Sequence, residues 1–127
     1  MLDTIAPAPP ARAGTGHVNQ ALDEIIGEAF WLTTTQLAGL IAARGIIGHA
    51  DSVDASPVGL WVLDRLQDRG IPAVAYSWVT TLAVLDPGRA LIGEVRVPVK
   101  NTLYDLEREV NDLDHPGITW QGEADPR

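Results

Sequence analysis

Residues 56–70 read SPVGLWVLDRLQDRG, and this stretch, with the strand-like one that follows it, decides the fold. Ser56 is a preferred helix N-cap, Pro57 suits the first helical position, and Gly70 suits the residue that ends a helix. Apolar residues recur along the stretch at the spacing of one helix face. The sequence therefore predicts a helix over residues 57–69.

Residues 73–97 read AVAYSWVTTLAVLDPGRALIGEVRV. Residues 73–85 are rich in valine, threonine and aromatic side chains and alternate in the manner of a strand. Residues 86–89, with proline second and glycine third, favour a type II turn. Residues 90–97 alternate again. The pattern predicts a long two-stranded antiparallel hairpin.

Amphipathic spacing predicts further helices on both sides of this stretch. Threonines 33–35 offer hydroxyls to cap the second helix, and Asn101 can cap the last, which is acidic on its polar face. Because three helices precede the hairpin and one follows it, the predicted class is α+β. The predicted segments are an extended Pro/Ala-rich flexible arm at 1–16, helices at 17–31, 34–44 and 102–113, a single domain over 17–120, and a frayed tail at 121–127.

The chain has 127 residues and a formal net charge of −8. It has no cysteine, which excludes disulfides, thiolate nucleophiles and cysteine-bound metals. Residues 1–33 and 101–127 are acidic, whereas residues 34–100 balance six basic residues against six acidic ones. Nucleic-acid binding depends on neutralising phosphates, so this charge makes nucleic acid an unfavourable partner and suits a basic protein.

The N-terminal sixteen residues lack the features of a secretory leader, and no apolar run is long enough to cross a membrane. They carry an acid at Asp3 and prolines where an apolar segment would stand. We therefore expect a cytoplasmic protein without membrane contact.

The element order also permits a winged helix-turn-helix, with 57–69 as the recognition helix. That hypothesis makes Arg65, Arg69 and Arg89 the candidate DNA contacts, and it requires them to be exposed on one face. A groove-reading helix needs polar or basic residues near its start. Here the start reads VGLW. A DNA-binding transcriptional regulator is therefore the alternative function.

His49, Asp51 and Asp54 form a second candidate cluster, in a loop predicted over 46–55. An imidazole and two carboxylates could bind a divalent metal or serve a small enzyme. The same residues fit a polar loop whose aspartates make local turns. No sequence motif of a hydrolase, a nucleotide-binding loop or a metalloprotease is present. We expect no cofactor, no metal and no catalytic residue.

Aromatic side chains are the third feature, since tryptophan and tyrosine are favoured anchors of protein interfaces. Trp61 and Trp78 are expected in the core. The last predicted helix also carries an aliphatic stripe with heptad-like spacing that could pair with a second copy. The candidate interaction residues are Trp31, Tyr104 and Trp120, with Leu103, Leu106 and Val110 of the stripe.

Several short motifs follow one another between Ile41 and Trp120: Ile41, Gly45 and Gly48, then Ser-Pro-Val at 56–58, then Val-Pro at 97–98 and the stripe of the last helix. In outline this series resembles a group of small, mostly uncharacterised α+β proteins of actinobacteria and their phages. In this chain Ser56 stands where cysteine is usual, and the hairpin is longer. The resemblance implies a small accessory protein of a phage or mobile element, and it brings no catalytic residues.

Together these observations predict a non-enzymatic, acidic protein–protein interaction or assembly module. Its partner would be a second copy of the chain or a larger assembly. A DNA-binding regulator and a small enzyme or metal site remain the two alternatives.

Overall fold

The computed structural model describes residues 10–79 and 81–120, with side chains from residue 16 onward. Within these residues four α-helices and three strands form an α+β fold, which is the predicted class. The elements, in chain order, are α1 (Pro10–Phe30), α2 (Thr34–Ala43), α3 (Pro57–Asp68), β1 (Ala75–Trp78), β2 (Thr81–Leu85), β3 (Leu91–Arg96), α4 (Thr102–Asn111) and a 3-10 turn (Pro116–Ile118).

The capping signals in the sequence act where they were predicted. Thr33 and Gln36 form a reciprocal capping box at the start of α2. Ser56 accepts a hydrogen bond from the Gly59 N–H at the start of α3. Asn101 does the same for the Leu103 N–H at the start of α4. These side chains satisfy N–H groups that a helix leaves unpaired, which explains why three of the helix starts are readable from the sequence.

The first helix begins earlier than predicted. α1 starts at Pro10, so residues 10–16 belong to this helix and the prediction that the extended arm reaches residue 16 is wrong. Proline is tolerated in the first helical turn because the N–H it lacks would be unpaired there anyway. Residues 1–9 and the predicted tail at 121–127 lie outside the described residues.

The sheet has three strands where a two-stranded hairpin was predicted. β1 pairs with β2, and β2 pairs with β3, all antiparallel. Trp78 of β1 lies opposite Leu82 of β2, so the chain reverses between them. Because an even number of positions separates Trp78 from Leu82, Tyr76, Trp78, Leu82 and Val84 keep one alternation and are all buried. One continuous strand and a tight hairpin therefore give the same sequence pattern.

The turn between β2 and β3 also differs from the predicted type II. The left-handed residue is Arg89, with φ +70°, and Gly88 does not have positive φ. The Arg89 N–H donates to the Asp86 carbonyl at 2.9 Å, and the Asp86 carboxylate accepts from the Ala90 N–H. The aspartate therefore closes the turn, and the glycine is not needed for it.

The core lies between the sheet and the four helices. α1 packs on β3, where Gly93 makes room: a Cβ there would lie 2.4 Å from Val18 Cγ1. Trp61 and Trp78 are buried, as predicted. The stripe of α4 is buried as well, with Leu103, Leu106 and Val110 at 0% exposure. α4 contacts α1, α2 and α3, so the prediction that this stripe is an interaction surface is wrong.

Within the described residues, no helix combines the length and the apolar character that spanning a membrane requires.

Candidate interaction surface

The most exposed large hydrophobic side chain among the described residues is Trp31, just after α1. Its exposure is 82%. Phe30 beside it is 52% exposed, and the two rings pack edge to face with centroids 5.2 Å apart. Large apolar side chains grouped on a surface indicate a contact site more often than scattered ones do. The prediction that Trp31 is available to a partner agrees with this position.

α2 extends this apolar surface. Its inward face buries Leu37 and Ile41, and it turns its other side to solvent. No charged residue stands between Glu28 and Arg44. We call the exposed residues of this segment the uncharged face: Phe30, Trp31, Thr33, Thr35, Gln36, Gly39, Leu40, Ala42 and Ala43.

Ion pairs lie next to the uncharged face. Arg44, the first residue after α2, bonds to Asp64 and Asp68 of α3, each at 2.5 Å. The bond to Arg44 lowers the pKa of Asp68, since a cation favours the ionised carboxyl. A small notch of about 140 Å³ lies among Leu40, Ala43, Arg44, Trp61 and Arg65. Charge at this edge is therefore paired within the molecule.

The candidate DNA contacts are not a free basic patch. Arg65 bonds to Glu28 at 2.5 Å, and its guanidinium lies 5.7 Å from the centroid of the Trp61 ring. Arg69 bonds to Glu24 and also contacts Glu28. Arg89 lies apart from these two in sequence and element, in the β2–β3 turn.

The predicted recognition helix is largely buried. Seven of the twelve residues of α3 are buried, among them Val58, Gly59 and Trp61 of its first turns. A helix that reads bases must expose its N-terminal side chains to the groove. Arg65 and Arg69 are half-buried and bonded to acidic side chains, Arg89 is exposed but lies on another element, and most of α3 is buried, so these positions give the winged-helix hypothesis no support.

The His49, Asp51 and Asp54 loop does not converge on one point. The His49 ring stacks against Trp120 with centroids 6.0 Å apart. Asp54 accepts from the Ser52 hydroxyl at 3.1 Å. Asp51 is held in a left-handed conformation, φ +56°, and its N–H donates to Asn111 Oδ1 at 2.7 Å. Among the described residues, no group of three or more histidine and acidic side chains is placed to hold a metal ion.

Trp120 and Tyr104, the other predicted interaction residues, are half-buried. Trp120 lies over His49, and its N–H donates to the Gly48 carbonyl at 2.8 Å. Tyr104 packs against Trp78 with ring centroids 5.4 Å apart and an interplanar angle of 77°. Trp120 therefore serves the fold, whereas Tyr104 lines a groove.

That groove, of about 330 Å³, lies between loop 51–53, the β1–β2 turn and α4. Its lining includes two carboxyl groups, of Asp51 and Glu107. Burial raises the pKa of Glu107; the Ser56 hydroxyl opposes this rise, and Asp51 adds to it. In the sequence Glu107 is one of the acidic residues on the polar face of the last predicted helix, and its environment depends on Ser56 and Asp51, more than fifty positions away.

Behind Glu107, Tyr76 and Ser56 form a buried polar pair. The Tyr76 hydroxyl lies 3.0 Å from Ser56 Oγ and accepts from the Ser56 N–H at 2.7 Å. Burial raises the pKa of Tyr76 to about 12, so the phenol stays neutral at physiological pH. Ser56 has 0% exposure and caps α3. A shielded hydroxyl in this role is a structural group, and the arrangement offers no accessible nucleophile.

Comparison with protein-family models, with curated proteins and with solved structures finds no match for this chain.

Proposed function

We propose that this protein is an acidic, non-enzymatic assembly module that self-associates through the uncharged face. The observation that carries the proposal is the contrast between that face and the rest of the chain. A protein of net charge −8 has a run of fifteen consecutive residues, 29–43, without a single charge, and nine of these residues are exposed. Trp31 stands at one end of it with 82% exposure.

A second copy of the chain is the partner that this contrast favours. A two-fold dimer places the same surface patch on both sides of the contact, so a patch whose charges are all of one sign would meet the same sign. Like charges brought together at an interface cost free energy. The uncharged face escapes this cost, and its aromatic pair provides the kind of anchor that dominates binding free energies.

Small residues make close contact feasible. Gly39, Ala42 and Ala43 are exposed on α2, and a Cβ at Gly39 would have no atom within 4 Å. Leu40, 46% exposed, stands among them. A helix face with few long side chains loses little conformational entropy when it packs against another surface. The phage or mobile-element setting implied by the sequence resemblance stays a prediction.

The experiment is sedimentation equilibrium of the full chain from 1 to 500 µM, with a matched pair of charge insertions. Gly39→Glu adds one negative charge inside the uncharged face, and Gly27→Glu adds the same charge on the exposed side of α1. Both are helical glycines with open space at the Cβ position, so both variants should fold.

We expect the wild type and Gly27→Glu to dimerise equally and Gly39→Glu to be a monomer. Trp31→Ala should weaken the dimer by about 100-fold or more, because each substitution counts twice in a two-fold interface. A wild type that stays monomeric at 500 µM would contradict the proposal. So would a Gly39→Glu variant that dimerises as tightly as Gly27→Glu.

A further inference from the structure

The groove beside α4 has the chemistry of a site for a positively charged side chain. Its walls are the aromatic residues Trp78 and Tyr104, and two aliphatic residues, Val53 and Val79, stand exposed at its rim. Its two charged lining residues, Asp51 and Glu107, are both acidic. A long cationic side chain matches this combination, since its methylenes pack on apolar surface and its head group binds carboxylates.

The carboxylates of the groove lack a cation of their own. Within the described residues, no lysine or arginine side chain lies within 4 Å of Asp51 or Glu107, whereas Asp64, Asp68, Glu24 and Glu28 all bind arginines. The groove thus differs from the α1–α3 surface, where acidic side chains are already paired.

Glu107 also has an unmet hydrogen bond. Its Oε1 is buried and has no hydrogen-bond partner in the described part of the chain. Buried polar atoms are almost always paired, and an unpaired acceptor costs free energy. The last torsion of a glutamate is broad, so the carboxyl can turn this oxygen toward the groove when a donor arrives.

The two acidic groups are held together by the backbone. The Asp51 N–H donates to Asn111 Oδ1 at 2.7 Å, which fixes the loop to α4 one turn beyond Glu107. Asp51 raises the pKa of Glu107 through like-charge repulsion. A cation bound between the two carboxyls would remove this repulsion and favour the ionised form of Glu107.

We infer that this groove binds a lysine or arginine side chain, flanked by apolar residues, from a basic segment of a partner protein. The lining favours a cationic side chain for two reasons. Asp51 and Glu107 complement its charge, and the aromatic walls also attract cations. The site uses residues outside the uncharged face, so the inference does not depend on self-association.

The test uses two synthetic peptides and amide NMR spectra of the full chain. The first peptide is acetyl-Leu-Arg-Leu-amide, and the second replaces arginine by citrulline, which has nearly the same shape but no charge. We expect the arginine peptide to shift the amide signals of residues 51–53 and 107–111 with a millimolar dissociation constant. The citrulline peptide should bind at least fivefold more weakly.

Matched protein variants locate the effect. Glu107→Gln and Asp51→Asn should each weaken binding of the arginine peptide by about fivefold or more, and both replacements suit the local geometry, since asparagine tolerates positive φ. Asp105→Asn removes the same charge from α4 outside the groove, beside Arg108, and should leave binding unchanged.

Three results would overturn the inference. Shifts spread over the acidic surface, or an equal loss in Asp105→Asn, would show non-specific charge attraction. Equal binding of the citrulline peptide would show an apolar groove without selectivity for a cation. No shift at 20 mM arginine peptide would show that the groove binds no such side chain.

Discussion

At the scale of single residues, Gly59 packs directly against the ring of Tyr76. A Cβ on Gly59 would lie 2.0 Å from Tyr76 Cζ and 2.4 Å from its hydroxyl oxygen. The tyrosine cannot retreat without losing its bonds to the Ser56 N–H and hydroxyl. We expect Gly59→Ala to lower the free energy of unfolding by about 3 kcal/mol, from overpacking and a lost buried hydrogen bond.

Urea unfolding followed by circular dichroism measures this change, and Gly27→Ala is its control. Gly27 is also helical, but the added methyl would meet no atom within 4 Å. That variant should be more stable than the wild type by about 0.5–1 kcal/mol, because alanine has the higher helix propensity. A Gly59→Ala protein as stable as the wild type would contradict the packing described for Tyr76.

Glu107 gives a second prediction at this scale, in the pH dependence of stability. Burial raises the pKa of Glu107 in the folded protein. The folded state therefore holds this proton to higher pH than the unfolded state, and stability falls as pH rises above the ordinary glutamate range. Glu107→Gln should raise Tm at pH 8 relative to the wild type, and the two proteins should converge at pH 4.

Thermal melts of Glu107→Gln and the wild type at pH 4 and pH 8 measure this difference in Tm. Asp105→Asn is the control, because it removes one negative charge at a more exposed position. A difference between Glu107→Gln and the wild type that is the same at pH 4 and pH 8 would show that burial does not raise the pKa of Glu107. The expected gain also means that Glu107→Gln is folded, which makes it a sound variant for the binding test.

At the scale of elements, Asn101 joins two helices that are distant in sequence. Its Oδ1 caps α4, and its Nδ2 donates to the Ile26 carbonyl of α1 at 2.9 Å. We expect Asn101→Ala to cost about 2 kcal/mol of unfolding free energy and Asn101→Ser about 1 kcal/mol, because serine keeps the cap but not the bond to α1. Equal losses in urea unfolding would show that the bond to Ile26 contributes nothing.

The elements also show what local sequence signals can and cannot predict. Caps act over two or three residues, so Thr33, Ser56 and Asn101 mark the helix starts directly. The reversal between Trp78 and Leu82 is hidden, because the buried residues before it and after it fall on the same alternation. The acidic helix and its aliphatic stripe were predicted. The helices that bury this stripe were not predicted, because packing joins residues that are far apart in the chain.

The uncharged face and the groove beside α4 differ in how much of each can be predicted from the sequence. Trp31 was predicted as an interaction residue, and the missing charges between Glu28 and Arg44 are visible in the sequence. Only the fold shows which side of α2 is free. The groove was not predicted, because Asp51 and Asn111 meet across sixty residues. Surfaces built from one segment are readable from sequence, whereas those assembled from several require the fold.

At the scale of the whole molecule, the net charge of −8 predicts how self-association responds to salt. Two copies of an acidic chain repel each other at every distance shorter than the screening length, which falls from about 30 Å at 0.01 M salt to about 3 Å at 1 M. An interface without charges contains no favourable ion pairs that salt could weaken while it screens this repulsion. Dimerisation through the uncharged face should therefore become tighter, by roughly tenfold, between 0.02 and 0.5 M sodium chloride.

Sedimentation equilibrium at several salt concentrations measures this trend, and its sign distinguishes the possible contacts. An interface made by ion pairs between copies, such as Arg44 of one with an acid of the other, would weaken with salt. Gly27→Glu should show a slightly steeper increase than the wild type because its net negative charge is larger, while Trp31→Ala should dimerise about 100-fold more weakly than the wild type at every salt concentration. A dimer that dissociates as salt rises would place the contact on a charged surface and exclude the uncharged face.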